Sequence, residues 1–173
     1  MITEERVFTV VGAVLAALLQ IILAPHIGLF GVVPNILVAY TLVVAVTNPQ
    51  SFGCVMPFLL GLFFDLFTGG PVGAMAFSLM VFSVVAARVF DTINNDTLFT
   101  PLLVLGVGSL IIELSYGMFL LLFGYPADLF GAIAYRVFPC FVYDFVIGLA
   151  LYPLAKRFLV PSGVTRTELT QLR

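Results

Sequence analysis

Residues 61–77 read GLFFDLFTGGPVGAMAF. An apolar run ends at Thr68, a Gly-Gly-Pro break follows, and a second apolar run opens at Ala74. Glycine tolerates positive φ and proline lacks an N–H, so this punctuation reads as a tight loop between two apolar helices. One residue does not suit an apolar helix. Asp65 stands three residues before Thr68, and a carboxylate in such surroundings needs partners that its own neighbours cannot supply.

The rest of the chain shares that apolar character. Of 173 residues, 62% are hydrophobic and only 9% charged, with a mean hydropathy of +1.20. An average soluble domain is roughly 45–50% apolar and about 25% charged. The chain therefore reads as an all-α integral membrane protein. A net charge of −2 leaves no basic footprint for nucleic acid. The apolar runs are continuous and do not alternate, which excludes a transmembrane barrel.

A spanning helix needs about 20 apolar residues. Six candidate spans fall at 7–24, 33–46, 51–68, 74–90, 101–123 and 131–154, followed by a polar tail, 156–173. Acidic Glu4 and Glu5, with no small-residue cleavage site after the first run, predict a retained helix there. The second span is short, so it is expected to draw on the stretch before it or to sit where the bilayer thins. Pro34 suits a first helical turn, and Thr100-Pro101 reads as an N-cap followed by N1. Pro57 and Pro139 fall inside spans three and six and predict kinks. Six spans put Arg6, Arg88, Lys156, Arg157, Arg166 and Arg173 on one side, which the positive-inside rule assigns to the cytoplasm together with both termini. The loop after Thr68 then faces outward.

Four ionisable residues lie within spans: Asp65, Glu113, Arg136 and Asp144. Such groups are costly in the membrane and predict a partner or a wet cavity. At about 1.5 Å per residue from the cytoplasmic ends, Asp65, Glu113 and Arg136 come out at about 21, 18 and 24 Å, and Asp144 at about 12 Å. Arg136, the one cation at that depth, is expected to pair with Asp65 or Glu113. A purely architectural role, fixing how helices meet, is the stronger expectation for these groups. Gly12/Ala16 and Ala13/Ala17 form small-xxx-small pairs in the first span, suited to close approach of a helix within the bundle or from a partner.

Catalytic patterns are missing. The single histidine, His26, lies at a span end, and no Gly-x-Ser-x-Gly, His-Glu-x-x-His or phosphate-binding glycine loop occurs. Cys54 and Cys140 read as buried small hydrophobes, not as a disulfide or metal site. The sequon Asn95-Asp96-Thr97 falls on the cytoplasmic side of this topology and is discounted. No enzyme activity, cofactor or metal is expected.

Pro34-Asn35-Ile36-Leu37, then Gly53, then Gly61, Asp65, Gly73 and Ala76 resemble the bacterial rod shape-determining membrane protein family MreD. The likeness covers about residues 20–90, with a Pro-Asn pair opening the second helix and a Gly-x-x-x-Asp closing the third. The resemblance implies a non-enzymatic subunit of the elongation machinery in the inner membrane. It implies partnership with the single-span protein MreC and, more widely, with MreB, the glycan polymerase RodA and its penicillin-binding transpeptidase. It also implies a six-helix fold similar to the substrate-binding components of energy-coupling-factor vitamin transporters. That similarity supplies the alternative reading: a vitamin-binding transport component, with Ala13 and Ala17 docking to a transporter core. Few outer-loop side chains could specify a polar solute, which argues against it. A lipid-handling scaffold is a third class.

Overall fold

The computed structural model describes residues 2–28, 31–49, 52–93, 99–125 and 136–159. Among these, six α-helices form: α1 (Ile2–Ile22), α2 (Ile36–Thr47), α3 (Val55–Thr68), α4 (Ala74–Ile93), α5 (Phe99–Leu122) and α6 (Phe138–Leu159). No strand forms among the described residues. Four helices, α1, α4, α5 and α6, are long and apolar enough to cross a membrane. The other two are shorter: α2 has 12 residues and α3 has 14. At 1.5 Å per residue these reach about 18 and 21 Å, well short of a hydrocarbon core about 30 Å thick. The six expected spans thus divide into four long helices and two short ones.

The shortest helix is the most enclosed. α2 touches each of the other five helices, and every residue from Ile36 to Val46 except Tyr40 is buried. Its sequence, ILVAYTLVVAVT, is apolar on all sides, as a helix without a solvent or lipid face must be. Val38, Leu42, Val43 and Val46 pack with Met75 and Leu79 of α4 and with Leu105, Ile112 and Tyr116 of α5. Its one hydroxyl at the centre, Thr41, donates back to the Leu37 carbonyl at 2.8 Å.

α1 packs along one stripe. Ala13 and Ala16 are buried against Ile36, Leu37 and Leu60, while Val10, Val14, Leu18 and Ile22 on other faces are 47–65% exposed. Those faces suit lipid. A Cβ on Gly12 would fall 2.6 Å from the Tyr40 hydroxyl oxygen, and that hydroxyl donates to the Thr9 carbonyl at 2.6 Å. The small residues Gly12, Ala13, Ala16 and Ala17 thus line contacts inside the bundle: a notch for Tyr40 and a seat for the start of α2. α1 ends in a 3-10 turn, Ala24–His26, where His26 Nδ1–H donates to the Ile22 carbonyl at 2.7 Å.

α3 and α4 form the tightest hairpin. Gly69 ends α3 with φ 68°, a left-handed position that glycine adopts without strain. Gly73, at φ 98°, turns the chain into α4. A Cβ on Gly61 would meet the Ala76 Cα at 2.5 Å and the Met75 carbonyl oxygen at 2.6 Å. Backbone therefore lies on backbone, which is how membrane helices gain close packing where lipid is as apolar as side chains.

One proline differs from expectation: α3 starts at Val55, so Pro57 falls in its first turn, where the missing N–H has no interior partner. Pro139 is the second residue of α6 and follows directly on π-helical residues 136–137, a local departure from α geometry. Pro153 is the proline inside a helix. α6 also runs past residue 154, so Lys156 and Arg157 of the expected tail form its last turn and complement the helix dipole. Residues 131–135, the sequon and the segment 160–173 lie outside the described residues.

Replacing Gly61 by Leu forces α3 off α4, and overpacking of this kind costs about 1–3 kcal/mol or more. Gly53→Ala, at a position with nothing within 4 Å, leaves stability unchanged. Thermal unfolding of the detergent-purified variants checks both; equal melting points would contradict the close packing.

Candidate functional site

Every α-helix begins with N–H groups that have no partner within the helix, and in an apolar layer water cannot supply one. α4 begins directly after the Gly-Gly-Pro loop. Asp65, 1% exposed, reaches across from the last turn of α3 to this start. One carboxylate oxygen accepts from the Gly73 N–H at 2.8 Å and from Ala76 at 3.2 Å. The Met75 N–H, at 3.1 Å from each oxygen, bridges them. The negative charge also sits at the positive end of the α4 dipole. The partners of Asp65 are therefore backbone donors eight to eleven residues ahead, brought into reach by the loop that follows it. Gly61, one turn earlier, allows the approach.

A second clasp holds the start of α2. Asn35 is its N-cap, accepting from Val38 N–H at 3.4 Å. The Asn35 N–H donates to Asp144 Oδ1 of α6 at 2.7 Å. Its side-chain amide points to Glu113 Oε1 of α5 at 3.5 Å and to the Met75 sulfur at 3.9 Å. The Ile36 N–H donates to Gln20 Oε1 of α1 at 2.7 Å, while Gln20 Nε2 donates to the Pro34 carbonyl at 3.1 Å. Cys140 Sγ stands 3.7 Å from the Val33 carbonyl. The backbone before α2 is thus satisfied by α1 and α6 together, while Glu113 of α5 meets the Asn35 side chain. Pro34 needs no donor partner, since it has no N–H to satisfy.

Gln20 is the member that sequence reading missed. Its signal was a lone amide in an otherwise apolar run, LAALLQIIL. Asp144 was placed too shallow. A depth of about 12 Å corresponds to a helix end eight residues on, near residue 152, whereas α6 extends to Leu159. From there Asp144 lies at about 22 Å, beside Glu113 at about 21 Å from Phe99.

Arg136 does not close the ion pair expected with Asp65 or Glu113. It is exposed, at the entry to α6, with its guanidinium 5.8 Å from the centre of the Tyr116 ring, a cation–π distance. The physical reason is that backbone N–H groups already satisfy Asp65, and Asn35 and Asp144 surround Glu113. Asp65 is thus held apart from Glu113 and Asp144, which share one cluster. Arg136, Tyr116, Glu113, Asn35, Phe63 and Phe64 line part of a cavity of about 530 Å³. Among the described residues, no group of three or more His, Cys, Asp or Glu could hold a metal ion. Cys54 and Cys140 are both free thiols.

Two outcomes follow for purified protein in detergent. Asp65→Asn turns an amide toward backbone donors and lowers unfolding stability by about 1–3 kcal/mol. Arg136→Leu and Asp65→Leu, made singly and together, give losses that add to within about 0.5 kcal/mol. Chemical unfolding curves measure both, and strong coupling in the double variant would restore the ion pair.

The family model described as "rod shape-determining protein MreD" matches residues 3–160. No curated protein and no solved structure matches the chain. The family match takes in both clasps and all six helices, and the chain belongs to the MreD family of rod shape-determining proteins.

Proposed function

We propose that this protein is a non-enzymatic multi-pass subunit of the cell-elongation machinery in the bacterial inner membrane, with both termini in the cytoplasm. It binds the bitopic protein MreC and, through that complex, helps position MreB, RodA and the penicillin-binding transpeptidase. The observation that carries this reading is the family match over residues 3–160. The site chemistry supports it, because Asp65, Asp144 and Gln20 spend their polar atoms on helix starts. Groups so engaged build a scaffold and are poorly placed to act on a substrate.

The cavity of about 530 Å³ favours one second reading, a substrate-binding component of an energy-coupling-factor transporter. Its size falls within the range of small-molecule pockets. The likeness of fold to those components rests on the family resemblance.

A mild-detergent pull-down of the tagged protein from native membranes, read by mass spectrometry, separates the two. We expect a bitopic protein with an extracytoplasmic coiled coil, together with wall-synthesis enzymes. Recovery of paired ATPases with a membrane coupling subunit instead would overturn the proposal and make the cavity a solute site.

A further inference from the structure

Two carboxyl groups share Asn35 in the second clasp, and among the described residues each has an N–H donor on one oxygen only. Glu113 of α5 and Asp144 of α6 are 4% and 1% exposed. Both reach the same residue: Asp144 Oδ1 lies 2.7 Å from the Asn35 N–H nitrogen and Glu113 Oε1 3.5 Å from the Asn35 side-chain nitrogen. Asp144 Oδ1 is occupied by the Asn35 N–H. Asp144 Oδ2 is buried and has no hydrogen-bond partner among the described residues. Glu113 Oε1 faces the Asn35 side-chain amide. Ionised carboxylates only accept hydrogen bonds, so two of them buried around one asparagine repel, whereas one proton shared between them makes a strong charge-assisted bond.

We propose that Glu113 and Asp144 together bind a single proton, carried on the second carboxyl oxygen of Glu113 and donated to Asp144 Oδ2. Every polar atom of the cluster then has a complementary partner. Glu113 Oε1 accepts from Asn35, its O–H donates to Asp144 Oδ2, and Asp144 Oδ1 accepts from the start of α2. The proton completes the joint between α2, α5 and α6.

The surroundings agree. α1 presents the uncharged Gln20, α2 the Asn35 amide and α4 the Met75 sulfur. Tyr116 from α5 and Cys140 from α6 are the titratable neighbours, and Arg136 is the nearby cation. Arg136 attracts negative charge to Glu113, but it is exposed and stacked over Tyr116, so its charge is screened. Because Glu113 also lines the cavity, the proton has a place from which to arrive.

Infrared difference spectroscopy on the protein in lipid nanodiscs near neutral pH tests this. Acids exposed to water are ionised there, so a protonated-carboxyl C=O band that shifts in deuterated water reports the pair. We expect the band in the unmodified protein and its loss in Glu113→Gln, whose amide donates to Asp144 in place of the proton. Asp144→Asn, which offers an amide donor to an ionised Glu113, should also lose it and serves if Glu113→Gln does not fold. An unmodified protein without the band, or a folded Glu113→Gln that keeps it, would overturn the assignment.

Discussion

The structure depends on one constraint: a helix that begins among packed apolar side chains exposes N–H groups that those side chains cannot satisfy. Two helices of this protein begin that way, and each is met by an aspartate from another helix. Asp65 of α3 takes the first N–H groups of α4, and Asp144 of α6 takes the N–H that leads into α2. Both carboxylates lie at the positive end of a dipole and accept from fixed donors. A charge that would be prohibitive alone becomes the group that decides where a helix starts.

The short central helix follows from this. α2 can begin deep within the bundle only because Gln20, Asp144 and Asn35 satisfy the extended chain before it. Once it is sited there, the other helices surround it, and its apolar sequence needs no distinct face. The aliphatic side chains of α2 then give the bundle its core, while the smaller contacts set the distances between helices. Tyr40 over Gly12 and Ala76 on Gly61 are places where one added carbon would collide. Hydrocarbon contact alone cannot choose among helix pairings in lipid, so steric fit and hydrogen bonds make the choice.

Much of this was legible in the sequence, and the limits have physical causes. Continuous apolar runs gave the helical membrane class and the approximate helices, because lipid selects composition residue by residue. The Gly-x-x-x-Asp and the glycine-rich loop marked the α3–α4 hairpin, because its partners lie within eleven residues of Asp65. The cluster around α2 was not legible as a unit. Its members come from four helices and meet across separations such as the 109 residues between Asn35 and Asp144. Depth counting failed for Asp144 because a helix end misplaced by about seven residues moves a side chain by about 10 Å. Arg136 was assigned a carboxylate on charge and depth, although backbone donors already hold the Asp65 oxygens.

This competition says where function resides. A buried polar group whose hydrogen bonds are used to build a helix start is not free to bind a partner, and removing it damages the fold first. Loss of activity on changing Asp65 or Asp144 is therefore weak evidence of contact with another protein. A partner-binding surface has to be sought on the outer faces, such as the exposed valine and leucine side of α1, where no internal hydrogen bond depends on the residue. Substitutions there that preserve hydropathy leave the clasps intact, so any change in partner recovery reports an interface and not a loss of fold.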